Sequence, residues 1–203
     1  MKKDIKAIIF DMGGVILRTC DETPRKELAE ELGVSLDWLK HEIFFSDSAI
    51  RSEEGYLDKY EHWKIILNKL GIPDAGNPKK YDEKFWSGDY LDNSLVQYFA
   101  ELKNKYKLGL ISNAFKGARD WIESHYQFMQ YFDYSVFSYE IHLRKPDTKI
   151  FHHVCHELGV QPEQSVFVDD MLVNVEGARA AGLFAVHYQD KDQLEIELSK
   201  IIS

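Results

Sequence analysis

Cysteine is nearly absent. Cys20 and Cys155 are the only two in 203 residues, too few and too far apart for a disulfide framework. No run approaches the ~20 apolar residues that a membrane-crossing helix needs. The apolar run after Met1-Lys2-Lys3-Asp4 is too short for a signal peptide. These features point to a protein of a reducing cytoplasm with no membrane partner. Positive charge is short too, with 25 Lys and Arg against 34 Asp and Glu and a net charge of -9. With no basic stripe, nucleic acid is a poor candidate partner. An anionic substrate would therefore need positive charge concentrated locally, by a lysine, helix N-termini or a metal.

What is present is ample for a core. Hydrophobic residues make up 44% and aromatics 13%, enough for one globular unit with a smaller inserted lobe. Ala7-Ile8-Ile9-Phe10 is apolar without polar alternation, which suits a strand buried on both faces of a parallel sheet. Asp11 ends that run, and Met12, Gly13 and Gly14 turn the chain. A carboxylate at the end of a buried strand is costly unless a cation or several donors meet it.

Helical periodicity then takes over. Thr23-Pro24 reads as an N-cap with proline at the first helical position, and Gly33 closes that helix. Ser35 can cap a second helix carrying Leu36, Leu39 and Ile43, and Gly55 marks a break. Tyr60, Trp63, Leu67 and Leu70 recur on a third, ending at Gly71-Ile72-Pro73. After a turn-rich stretch from Asp74 to Pro78, a fourth carries Tyr81, Phe85 and Trp86. Residues 18–90 thus read as a helical lobe inserted after the first strand, with residues 1–17 and 91–203 forming the core. Beyond Asn93, strands at Lys107–Ile111, Tyr134–Phe137, Ser165–Val168 and Phe184–His187 alternate with helices. The pattern predicts an α/β fold, a doubly wound, Rossmann-like parallel sheet with a small inserted helical cap.

In such a sheet the carboxyl ends of the strands converge on one edge, where ligands bind. Asp11, Ser112-Asn113 and Asp169-Asp170 all fall there, and Lys145 precedes a helix. Three carboxylates side by side call for a cation. A hard divalent ion held by a few carboxylates, with waters and a substrate phosphate completing its shell, fits Mg2+. Ser112 and Lys145 then supply a hydrogen bond and a positive charge for phosphate oxygens.

Four segments resemble, in order, the motifs of the haloacid dehalogenase (HAD) superfamily. They are Asp11-Met12-Gly13-Gly14-Val15, Ser112-Asn113, Arg144-Lys145-Pro146-Asp147, and Asp169-Asp170 with Asn174. The inserted helices resemble the family's helical cap, as in its subfamily IA. The resemblance implies a phosphatase acting on a small phosphorylated metabolite such as a sugar phosphate. Asp11 would be the nucleophile, forming an aspartyl-phosphate that water hydrolyses. It further implies that Asp11, the Gly13 carbonyl and Asp170 hold Mg2+, with Asp169 ligating through water or supporting Lys145. Ser112 and Lys145 would stabilise the transferring group, and Asn113 would contact substrate or lid.

One position departs from the family pattern. Gly13 stands where family phosphatases carry a second aspartate for general acid-base work, worth ~10²–10⁴-fold. That departure leaves room for a phosphotransferase or a non-catalytic regulatory member, and the family name for carbon-halogen hydrolysis. His142 is a weak stand-in for the missing group. His152 and His156 share a helix face at i, i+4 spacing, and the simpler reading there is a packed or solvated face.

Overall fold

The computed structural model describes residues 4–72 and 77–202. Of the turns expected at Gly71-Ile72-Pro73 and from Asp74 to Pro78, residues 73–76 lie outside the described chain. Strand β1 (Ala7–Asp11) is followed by β2 (Leu17–Thr19). Helices α1 (Thr23–Leu32), α2 (Leu36–Phe45), α3 (Asp47–Glu53), α4 (Lys59–Lys69) and α5 (Pro78–Trp86) come next. The chain returns through β3 (Asp89–Leu91), α6 (Asn93–Lys103), β4 (Lys107–Ser112) and α7 (Ala118–His125). Then come β5 (Tyr134–Phe137), the single turn α8 (Ser138–Ile141) and α9 (Thr148–Glu157). Strand β6 (Ser165–Asp169), α10 (Leu172–Ala180), β7 (Phe184–His187) and α11 (Lys191–Ile202) complete it.

Five strands form the predicted parallel sheet in the order β5-β4-β1-β6-β7. β1 sits at its centre, with Ile9 opposite Gly109 on one side and Phe167 on the other. Because side chains alternate across a strand, β1 feeds two cores. Ile8 and Phe10 pack with Leu95 and Phe99 of α6 and Leu194 of α11. Ala7 and Ile9 pack with Phe167 of β6 and with Ile150, Phe151 and Val154 of α9. All five β1 residues are buried, which is why the segment shows no polar alternation.

The inserted helices share a third apolar cluster, in which Leu28, Leu39, Ile43, Trp63, Ile66, Tyr81 and Phe85 meet. Trp63 is fully buried, and its indole N–H donates to Asp82 Oδ1 at 3.2 Å. The same oxygen accepts from Trp86 Nε1 at 3.0 Å, and Lys59 pairs with Oδ2 at 3.0 Å. A buried carboxylate is tolerable here because its lone pairs are used.

Two details of the sequence reading are corrected. The first lobe helix begins at Thr23 with Glu22 in the cap position, where no side chain caps it; Asp21 instead accepts from the Thr23 N–H at 2.8 Å. The stretch 18–90 is not helical to its ends, because β2 and β3 pair antiparallel, Leu17 with Leu91 and Thr19 with Asp89. Three-residue strands paired across some seventy residues leave no local period to read.

His62 of α4 is fully buried, its Nδ1 2.9 Å from Ser48 Oγ. Burial pushes its pKa down to about 4, so it is neutral in the fold. Its contribution is intact above the ordinary histidine pKa of ~6.5 and is lost as pH falls from there toward 4, on the order of 2–3 kcal/mol. Urea unfolding followed by tryptophan fluorescence should therefore show a wild-type stability loss between those pH values that His62→Gln lacks. Parallel profiles for the two proteins would refute this account.

Candidate active site

The central strands deliver their last residues to one edge of the sheet. Asp11 shares a β1 face with Ala7 and Ile9, and Asp169 shares a β6 face with Phe167, by the two-residue period of a strand. That is the face covered by α9 and α10, and Lys145 enters from the start of α9. Its Nζ lies 2.6 Å from Asp11 Oδ1 and 2.7 Å from Asp169 Oδ2. It stands 5.4 Å from the centroid of the Phe167 ring. Lys145 is 1% exposed, and its aliphatic stem is enclosed with its charge.

Asp169 is wholly occupied by donors. Oδ1 accepts from the Met171 N–H at 2.8 Å and from Asn174 Nδ2 at 3.1 Å. Oδ2 accepts from Asn174 at 3.0 Å as well as from Lys145. Of its two expected roles, this geometry favours support of Lys145. Asp170, next in the chain, is more exposed, and its carboxylate joins those of Asp11 and Asp169 in a cluster whose oxygens lie within 4.8 Å of one another. Among the described residues no other group of three metal-ligating side chains comes together.

Charge does not balance here. Were all three carboxylates ionised, the single ammonium would leave two negative charges in a largely buried space. Burial, followed by repulsion from Asp169 and Asp170, holds the Asp11 carboxyl well above the usual range despite Lys145. Burial, then Asp169, also raises Asp170. Burial opposes the Lys145 charge, but Asp11 and Asp169 outweigh it and push its pKa up. A divalent cation would cancel the excess and lower both carboxyl pKa values, so the donor set fits a hard metal ion.

The turn after β1 shapes the near wall. Gly14 has φ +79°, and a Cβ there would lie 2.2 Å from Asp170 Oδ2. Only glycine lets Asp170 lie against the turn. Gly13 differs: a Cβ built there meets nothing within 4 Å.

Ser112, 2% exposed, directly follows the residue that pairs with Asp11 across β1 and β4. Its hydroxyl has no protein partner among the described residues. Asn113, expected to contact substrate or lid, bonds the backbone of Lys145 in this structure. Its Nδ2 donates to the Lys145 carbonyl at 3.0 Å, and its Oδ1 accepts from the Lys145 N–H at 2.9 Å. The side chain is committed to holding the backbone of the lysine. His142, exposed and at φ 56°, turns to the helical lobe, its Nδ1 donating to the Glu54 carbonyl at 2.6 Å. His152 Nε2 donates to the Ala181 carbonyl at 3.0 Å and His156 meets Glu157, so these two face different partners.

Glu53 went unnoticed in the sequence. It is buried and binds Arg144 Nε through Oε2 at 2.7 Å. An acidic residue in an acid-rich run carries no local mark of burial.

Asp11, Asp169, Asp170 and Lys145 thus form an acid-rich centre at the carboxyl edge of a parallel α/β sheet whose chain carries an inserted helical lobe. The family profile described as hydrolase, haloacid dehalogenase-like hydrolase, matches residues 5–182, and the chain belongs to that family. It is 34% identical to the N-acylneuraminate-9-phosphatase of Rattus norvegicus, over 92% of this chain and 83% of that one. It is 26% identical to the glyceraldehyde 3-phosphate phosphatase of Methanopyrus kandleri, over 93% and 88%. A HAD family enzyme from Bacteroides thetaiotaomicron, solved with magnesium and inorganic phosphate, superposes with a TM-score of 0.75. That match has 22% identity and covers 94% of this chain and 98% of the other; it bears on the fold alone.

The two glycines yield a paired test. Gly14→Ala should cost roughly 1–3 kcal/mol in urea unfolding, through a strained φ and a displaced Asp170. Gly13→Ala should stay within about 0.5 kcal/mol of wild type. Equal losses at both would contradict the turn geometry.

Proposed function

We propose that this hydrolase is a magnesium-dependent phosphatase acting on a small phosphorylated metabolite, sugar phosphates included, through an aspartyl-phosphate at Asp11. The carrying observation is the cluster of three carboxylates, Asp11, Asp169 and Asp170, with the buried Lys145 ammonium on two of them. A carbon-halogen hydrolysis needs no added cation and leaves that cluster without a purpose. The names of relatives, phosphatases of a triose phosphate and of an acylated sugar-acid phosphate, support the same substrate class. We divide the chain accordingly into a core of residues 1–17 and 91–203 and a cap of residues 18–90.

Asp11, Asp170 and the Gly13 carbonyl would hold the metal, and Asp169 would hold Lys145. When bound, Mg2+ neutralises phosphate charge that would otherwise repel the attacking carboxylate. The Asp11 carboxylate forms a bond to phosphorus as the ester oxygen departs with the bonding electrons. Lys145 and the free Ser112 hydroxyl offset charge on the phosphoryl oxygens. Asn113 and Asp169 keep the ammonium in place while its partner Asp11 is consumed. Water then attacks phosphorus, releasing phosphate and restoring the carboxylate. Gly13 brings no proton donor, so the leaving group takes its proton from water or departs as a stable anion.

Phosphate release from a panel of phosphorylated metabolites, with and without magnesium, tests the reading. Asp11→Asn should lower turnover by roughly 10³-fold or more, and excess chelator should abolish it. Undiminished activity in either case would reject the mechanism. The open space at Gly13 makes a second prediction practicable. Gly13→Asp should fold, and should raise the rate on a sugar phosphate ~10-fold or more while changing an aryl phosphate, whose leaving group is a weaker base, much less. Equal gains on both substrates would show that leaving-group protonation is not what Gly13 lacks.

A further inference from the structure

The helical lobe is tied to the sheet by the β2-β3 ribbon and touches it again at the end of α3. There Glu53 Oε2 accepts from Arg144 Nε at 2.7 Å, and the Glu53 carbonyl accepts from Ser138 Oγ at 2.5 Å. The Ser138 oxygen accepts in turn from the Ala114 N–H at 3.0 Å. The Glu54 carbonyl accepts from His142 Nδ1, and Tyr56 stacks on that imidazole, 5.0 Å between centroids at 15°. Gly55 passes so near the Tyr139 carbonyl that a Cβ would sit 2.6 Å from it.

What the lobe grips matters more than how often. Arg144 immediately precedes Lys145, and Ala114 immediately follows Asn113. These are the two core segments that carry Lys145, Ser112 and Asn113, and the Asn113 amide already joins them through the Lys145 backbone. A contact needed only to hold the lobe down could be apolar, with no carboxylate to desolvate. Burying Glu53, 6% exposed, is costly unless a well-aligned partner meets it, and the Arg144 bond is charge-assisted and directional. Such a pair specifies register, because it forms only in one docked position.

We propose that Glu53 is a positioning residue, which in the docked lobe clamps Arg144 and Ser138 and thereby fixes the backbone that presents Lys145 beside Asp11. The lobe thus contributes to the reaction without supplying a group that touches phosphorus. This rests on the phosphatase reading above for its kinetic consequences and on the contacts alone for its structural ones.

A double-mutant cycle of Glu53→Gln and Arg144→Gln separates the possibilities, read by steady-state kinetics with magnesium and by amide hydrogen exchange without substrate. Each single variant should lower kcat ~10–100-fold with KM within about 3-fold of wild type. The double variant should be no worse than the more damaging single one, because both remove the same clamp. The amides of Ala114 and Lys145 should exchange ~10-fold faster in each variant, while those of Ile8 to Phe10 keep their protection. Additive losses, or a loss confined to KM, would overturn the proposal. If no substrate yields phosphate even with the wild-type protein, the phosphatase reading fails but the clamp is still decided. Unchanged exchange at Ala114 and Lys145 would overturn it, and faster exchange there with an intact β1 would uphold it. Should Glu53→Gln unfold the lobe, Arg144→Gln gives the same readouts from the core side.

Discussion

The structure depends on one buried ammonium. Lys145 lies between Asp11 and Asp169 with almost no exposure, and removing one partner from such a group costs roughly 3–5 kcal/mol. Its surroundings supply what an isolated buried charge lacks. Asp169 is pinned by Asn174 and the Met171 N–H, and the Lys145 backbone is pinned by Asn113. These residues come from four segments, with Asp11 ending β1, Asn113 following β4, Lys145 preceding α9, and Asp169, Met171 and Asn174 together at the β6–α10 junction. The parallel sheet brings their strand ends to one edge, and its two apolar faces hold β1, β4 and β6 in register there. Packing at Phe10 and Phe167 is in this sense part of the electrostatics.

The same interaction explains why the site must take up charge. One lysine among three carboxylates leaves the centre anionic, an unfavourable condition for binding a phosphate ester. A divalent cation would cancel that charge, and the low dielectric of the buried edge would make both the repulsion and its relief large. The acidity of the whole chain, net -9, makes that compensation a local matter.

Much of this was legible in the sequence. Unbroken apolar runs ending in Asp11, Ser112 and Asp169 carry both the parallel sheet and its functional edge, because a strand buried on two faces has to be apolar and a polar residue at its end has to have a partner. What was not legible depends on pairing at long range. β2 and β3 are three residues each, and their partners lie some seventy positions apart. The two bonds from Asn113 to the Lys145 backbone were not legible either, since an amide in a loop has the same sequence signature whatever it binds. Glu53 sits in Ser52-Glu53-Glu54-Gly55, where only tertiary packing separates the buried acid from its half-buried neighbour. The space beside Gly13 is likewise a tertiary property, and it differs sharply from that beside Gly14.

The lobe and the charge centre then form a single problem. Electrostatics at Lys145 strengthen as water is kept from the edge of the sheet, a task that on the proposed reading would fall to the inserted helices. A lid that merely covered the edge would leave the lysine's backbone free to follow its own fluctuations. By reaching Arg144 and Ser138, the end of α3 bears on the same two segments that Asn113 ties together. On that proposal, one docked position of the lobe would serve both the exclusion of water and the alignment of the ammonium. The antiparallel ribbon suits that arrangement, because a short two-stranded connection with Arg18 on Asp92 and Thr19 on Asp89 can bend as a unit without disturbing β1. Any such bending would have to be confined to the ribbon, leaving Lys145 fixed between its two carboxylates.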